Sequence, residues 1–76
     1  MAVDWRKVIT FEPDKMGGQP CIRGMRMTVY DVLDYLASGM TVEEILHDFP
    51  YLTREDIQAS LAFVNEMVRG SMYVPS

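Results

Sequence analysis

Cys21 and His47 are the only thiol and the only imidazole in the chain. A thiol becomes a nucleophile when a neighbouring base or cation raises its thiolate fraction. No spacing pattern links these two residues. Cys21 stands between Pro20 and Ile22, in an apolar run where a small buried side chain is the ordinary occupant. His47 follows Leu46 near a helix C-terminus, where a positive charge suits the helix dipole. One cysteine and one histidine do not make a zinc site. Glu43, Glu44, Asp48, Glu55 and Asp56 could supply acid–base or metal chemistry. Each also fits a cap, a first helical turn or a solvated face, and no two are paired in a shielding apolar pocket. Gly17, Gly18 and Gly24 could offer backbone N–H groups to a phosphate. A phosphate loop needs a Gly-Lys-Ser/Thr leading into a helix, which does not follow here. The glycines are read instead as turn residues with positive φ. No enzyme activity, metal, cofactor or small-molecule substrate is expected.

Binding chemistry is the alternative. Thr53, Arg54 and Gln58 open the third helix, where a helix-turn-helix reads bases. Gln bonds adenine and Arg bonds guanine. Glu55 beside them repels a phosphate backbone. Arg23 and Arg26 flank Gly24 and Met25. Arg26 is read as an anchor to Asp31 or Asp34, and Arg23 as an exposed contact for DNA or another partner. Met67, Met72 and Tyr73 form a Met- and aromatic-containing terminus, a docking surface for a protein. The other reading has Tyr73 and Val74 packing back on Trp5 or Phe11.

Three helices position these groups. Val29, Val32, Leu33 and Leu36 form an amphipathic stripe, with Thr28 as N-cap and Gly39 as stop. Thr41 and Glu44 have capping-box spacing ahead of Val42, Ile45, Leu46 and Phe49, and Pro50 blocks continuation. Thr53 caps the third helix, whose stripe is Ile57, Leu61, Val64 and Val68, with Gly70 as stop. Lengths of about 10, 8 and 16 residues with tight connections suit a helix-turn-helix bundle. Lys7 to Pro13 reads as strand, Asp14 to Gly18 as turn, and "PCI" and "MRMTV" as two further short strands. The organisation is a single domain: a β-arm over 1–28, a helical core over 29–70 and a tail over 71–76.

A chain of 76 residues buries only about 60% of its unfolded surface. A partner chain is the expected source of added stability, and a homodimer the simplest form. Residues 1–40 carry five basic and five acidic groups. Residues 41–76 carry Arg54 and Arg69 against Glu43, Glu44, Asp48, Glu55, Asp56 and Glu66, which accounts for the net charge of −4. Nucleic-acid binders usually concentrate positive charge. The acidic half suits a basic protein surface better than bare DNA. The lone cysteine, the lack of a signal-peptide pattern and the lack of a long apolar run predict a cytoplasmic protein with no membrane contact.

The block "GGQPCIRGMRMTVYDVLDYLASGMTVEEILHDFPYLTREDIQASLAF" resembles the bacterial and archaeal family known as domain of unknown function 433. Its signature corresponds here to Gly18, Pro20, Ile22, Gly24 and Arg26. The later blocks correspond to Gly39, Glu43, Glu44, Ile45, Leu46, Pro50, Leu52, Thr53, Asp56, Ile57 and Leu61. Met25 stands where the family usually has Thr, and Ser60 where it usually has Ala. The likeness covers Val8 to Val64. It implies a mainly α, homeodomain-like three-helix fold with an N-terminal β-arm or hairpin. It also implies a role like that of VapB-type antitoxins, which neutralise PIN-like ribonuclease toxins and bind operator DNA. In such a role Arg69 would reach into the acidic metal site of the nuclease. The alternatives are a DNA-binding regulator without a toxin partner, and an adaptor that binds protein alone.

Overall fold

The computed structural model describes residues 3–71. A 3-10 turn, Trp5–Lys7, leads into strand β1, Ile9–Phe11. A loop with a second 3-10 turn, Met16–Gly18, returns the chain as β2, Pro20–Ile22. The strands are antiparallel, with Ile9 opposite Ile22, Thr10 opposite Cys21 and Phe11 opposite Pro20. Helices α1 (Val29–Ala37), α2 (Val42–Asp48) and α3 (Arg54–Ser71) follow. The architecture is the expected three-helix bundle with an N-terminal hairpin.

The segment "MRMTV" does not form the third strand that its β-branched and unbranched apolar residues predict. Arg23 and Gly24 both take positive φ, +47° and +71°. The Met25 N–H closes back on the Ile22 carbonyl at 2.9 Å. Positive φ at both central positions is the pattern of a type I′ turn. Beyond it a single bridge joins Cys21 and Thr28 before α1 begins. Helix nucleation by the Thr28 cap takes over the residues a longer strand would need.

All three helices open with the same device. Thr28 and Asp31 exchange side-chain-to-backbone bonds at 3.1 and 3.0 Å. Thr41 and Glu44 do so at 3.1 and 2.8 Å. Thr53 and Asp56 do so at 3.1 and 2.9 Å. Each pair satisfies two N–H groups that a helix start leaves open. Gly39 ends the first helix region with φ +102°. Gly70 does not act as a stop, and α3 runs through it to Ser71.

The core gathers Val8, Ile9, Ile22, Met27, Val29, Val32, Ile45, Leu52, Ile57, Ala59 and Phe63. The buried face of α3 differs from the stripe read from the sequence. Ile57, Ala59, Ser60 and Phe63 face inward, while Leu61 and Val68 are 44% and 45% exposed. The N-terminal 3-10 turn and the hairpin set this rotation. Trp5 meets Phe63 edge-on at 4.8 Å between centroids, and Phe11 meets it at 5.7 Å. The aromatic pair buries the Phe63 side of the helix and leaves the Leu61 side open.

Candidate functional site

The expected base-reading face sits at the start of α3. Its members are tied into the chain's own contacts. The Thr53 hydroxyl accepts the Asp56 N–H as a helix cap. The Arg54 guanidinium pairs with Glu43 of α2. Arg23 donates from Nε to Asp56 Oδ1 at 3.0 Å and from Nη2 to Oδ2 at 2.8 Å. It also donates to the Tyr51 carbonyl at 2.6 Å. Gln58 is exposed. Glu43, Glu44, Asp48 and Glu55 are exposed around this face and give it a negative bias toward phosphate.

Arg23 is therefore the anchor while staying 44% exposed, and Arg26, read from the sequence as the anchor, is exposed. The type I′ turn explains the exchange. It swings Arg23 out of strand geometry and over α3, where Asp56 waits with only 1% of its surface exposed. A fork-shaped guanidinium meets both carboxylate oxygens at once, which a lysine does not do. The carboxylate in turn raises the arginine pKa, by hydrogen bonding first and by charge second. Sequence reasoning placed Asp56 in a first turn and missed its buried pairing. The Thr-x-x-Asp spacing at 53–56, repeated from 28–31, was the available signal for its cap role. Nothing in the spacing signals the partner 33 residues upstream.

The other signature residues are conformational. Pro20 and Ile22 are buried in β2. Gly18 and Gly24 take φ of +81° and +71°. Lys15 reaches the Gly24 carbonyl through its ammonium group, and Gly24 N–H donates to the Thr10 hydroxyl at 3.0 Å. The glycine-rich stretch is thus closed on itself. Cys21 is buried, and burial pushes its thiol above the ordinary range. That is opposite to an activated nucleophile. His47 lies on the surface beside Asp48 at 3.4 Å.

No cavity is present among the described residues, and no group of three or more His, Cys, Asp or Glu side chains is placed to share a metal ion. No described helix is long and apolar enough to cross a membrane.

Exposed apolar surface is present. Phe11 is 53% and Met67 43% exposed. Both adjoin Phe63, Phe11 by ring contact and Met67 one helical turn further along α3. Beside them Glu66 accepts from the Trp5 indole and from Arg6 Nη2, the latter at 3.3 Å. Arg6 also lies over the Trp5 ring, 4.7 Å from its centroid. These contacts fasten the fourth turn of α3 to the N-terminal 3-10 turn and give the patch a fixed floor. Arg69 is exposed one turn beyond. Met72 and Tyr73, the other expected docking residues, and the packing of Tyr73 and Val74 lie outside the described residues.

Comparison with known proteins agrees with this architecture. Residues 9–64 match the model of the family described as "Protein of unknown function (DUF433)". The chain is similar to the uncharacterized protein y4eO of Sinorhizobium fredii (strain NBRC 101917 / NGR234), with 43% identity over 66 residues. That match takes in 86% of this chain and 30% of the relative, so the chain spans under a third of that protein's length. It is also similar to a DUF433 member from Anabaena variabilis ATCC 29413, solved by crystallography, with a TM-score of 0.73 and 33% identity. There the likeness covers 76% of this chain and 57% of the other. With most of its length inside the family model and a family structure sharing its fold, the chain belongs to the DUF433 family of proteins of unknown function.

Proposed function

We propose that this chain is an antitoxin-like binding protein that neutralises a PIN-like ribonuclease toxin by docking on it. The observation that carries this reading is the exposed apolar pair Phe11 and Met67 beside the packed Phe63 and Trp5 rings. Apolar and aromatic residues at the centre of a patch, rimmed by charge, are the composition of a protein interface. A methionine side chain adapts to an irregular partner surface. Arg6, Glu66 and Arg69 supply the charged rim. The acidic α2–α3 region steers the chain toward a basic, RNA-handling surface. In this reading exposed Arg69 enters the acidic metal site of the nuclease.

Operator binding is the second reading, and exposed Gln58 at the start of α3 favours it. The pairing of Arg23 and Arg54 with carboxylates weighs against it. An adaptor role without DNA uses the same patch. Co-expression with the adjacent reading frame, followed by pull-down and growth rescue, separates the three. A complex together with rescue is expected. No complex and no rescue would sink the antitoxin reading. A salt-dependent shift of the chain's own promoter fragment, with no complex, would favour the regulator.

A further inference from the structure

Helix α3 has 18 residues, against 9 in α1 and 7 in α2. At 1.5 Å per residue it extends roughly 10 Å or more beyond either neighbour. Its residues Ile57, Leu61, Val64 and Val68 follow one another at spacings of four, three and four. That is the repeat of a helix–helix seam. Ile57 is consumed by the core and Val64 packs partly against it. Leu61 and Val68 stand open at 44% and 45% exposure.

The greater part of the seam's span is also free of charge. Residues 57–65, "IQASLAFVN", contain no ionisable side chain, in a chain where 24% of residues are charged. Gln58 and Asn65 flank the seam on its exposed side. Two of the three carboxylates of α3 are engaged elsewhere, and the third, Glu55, stands exposed at the helix start ahead of the seam. Asp56 is buried under Arg23, and Glu66 is held by Trp5 and Arg6. A chain of net charge −4 repels its own copy over most of its surface. Self-contact is favourable only where no carboxylate meets its like, and this stripe satisfies that condition.

We propose that α3 pairs antiparallel with α3 of a second copy of this chain through Leu61, Val64 and Val68. The interface is isologous, with Leu61 of each copy against Val68 of the other and Val64 near the two-fold axis. The antiparallel sense opposes the helix dipoles. It also separates the acidic helix starts, where Glu55 and the neighbouring Glu43 and Glu44 of α2 would be brought together by parallel pairing. The seam lies more than a quarter turn around α3 from Phe63, while Met67 borders it beside Val64. Phe11 stays clear of the pairing, and Met67 is shared between the rim of the seam and the Phe11 side.

Sedimentation equilibrium on the full chain tests the pairing. The wild type is expected to be a dimer. Leu61→Glu is expected to weaken association roughly 30-fold or more with an unchanged far-ultraviolet circular dichroism spectrum, because the residue is a seam anchor and not part of the core. The double variant Leu61→Glu/Val68→Lys distinguishes the sense of pairing. In the antiparallel dimer the two new charges attract across the seam and association returns. A wild type that stays monomeric at about 0.5 mM overturns the proposal. So does a dimer that survives both Leu61→Glu and Val68→Glu, or a double variant that remains monomeric.

Discussion

Arg23 holds Asp56 through two parallel hydrogen bonds of 3.0 and 2.8 Å, joining the hairpin turn to the first turn of α3. The same residue donates its backbone N–H to the Val8 carbonyl at 2.7 Å and its guanidinium to the Tyr51 carbonyl at 2.6 Å. One residue in a left-handed conformation therefore ties the entry to β1, by its backbone, to the α2–α3 connection and α3, by its side chain. The left-handed backbone costs about 1–2 kcal/mol for a residue with a Cβ, which these bonds offset.

Removing either partner is expected to be costly. Arg23→Ala leaves the buried carboxylate of Asp56 with its Thr53 cap alone. A fully buried pair loses about 3–5 kcal/mol on such a break. The guanidinium is 44% exposed, so about 2 kcal/mol is expected. Arg23→Lys recovers little of this, since an ammonium group cannot bridge both oxygens. Urea midpoints at constant slope check both variants.

Gly24 is expected to resist substitution. Its φ is +71°, and an added Cβ would stand 3.2 Å from Glu12 Oε2. Gly24→Ala is expected to lose about 1–2 kcal/mol, or roughly 4–8 °C of melting temperature per kcal/mol in a domain of this size.

The capping boxes can be tested singly. Thr41→Ala removes the acceptor for the Glu44 N–H at an exposed helix start. A loss of about 1 kcal/mol is expected, read as a shift in thermal midpoint.

Stability is expected to fall at alkaline pH through Cys21. Burial raises its thiol pKa in the folded chain, while the unfolded thiol titrates near about 8.5. The contribution is full below that pH. It declines above it as the unfolded state alone loses its proton, and it is gone once pH passes the folded pKa. The difference between wild type and Cys21→Ala stability, followed from pH 7 to 10, isolates this contribution. Alkylation of the native thiol is expected to be slow for the same reason.

The helices were legible because each announces itself locally. Three threonines stand three residues before an acidic residue, each ahead of an apolar repeat, and all three boxes form. The first strand, the glycine turn after it and "PCI" were legible from their β-branched residues and glycines, and the resemblance to the family implied the same β-arm ahead of three helices. Two features were not local and were misread. The choice between Arg23 and Arg26 as anchor depends on a turn that redirects one side chain toward a residue 33 positions away. The rotation of α3 depends on which side the hairpin covers. Leu61 and Phe63 are both large and apolar, and helical periodicity admits either as core. Trp5 and Phe11 decide for Phe63, and the stripe left open becomes available to a partner.

The most direct test of the central claim is a calorimetric titration of the full chain with the purified product of the adjacent reading frame. Wild-type protein is expected to bind, and Phe11→Glu/Met67→Glu to bind about 100-fold more weakly, equivalent to two hot-spot residues. The variant's circular dichroism spectrum is expected to stay helical, with a lower thermal midpoint because Phe11 packs on Phe63. No binding by the wild type, or equal binding by the variant, would contradict docking on the Phe11–Met67 patch.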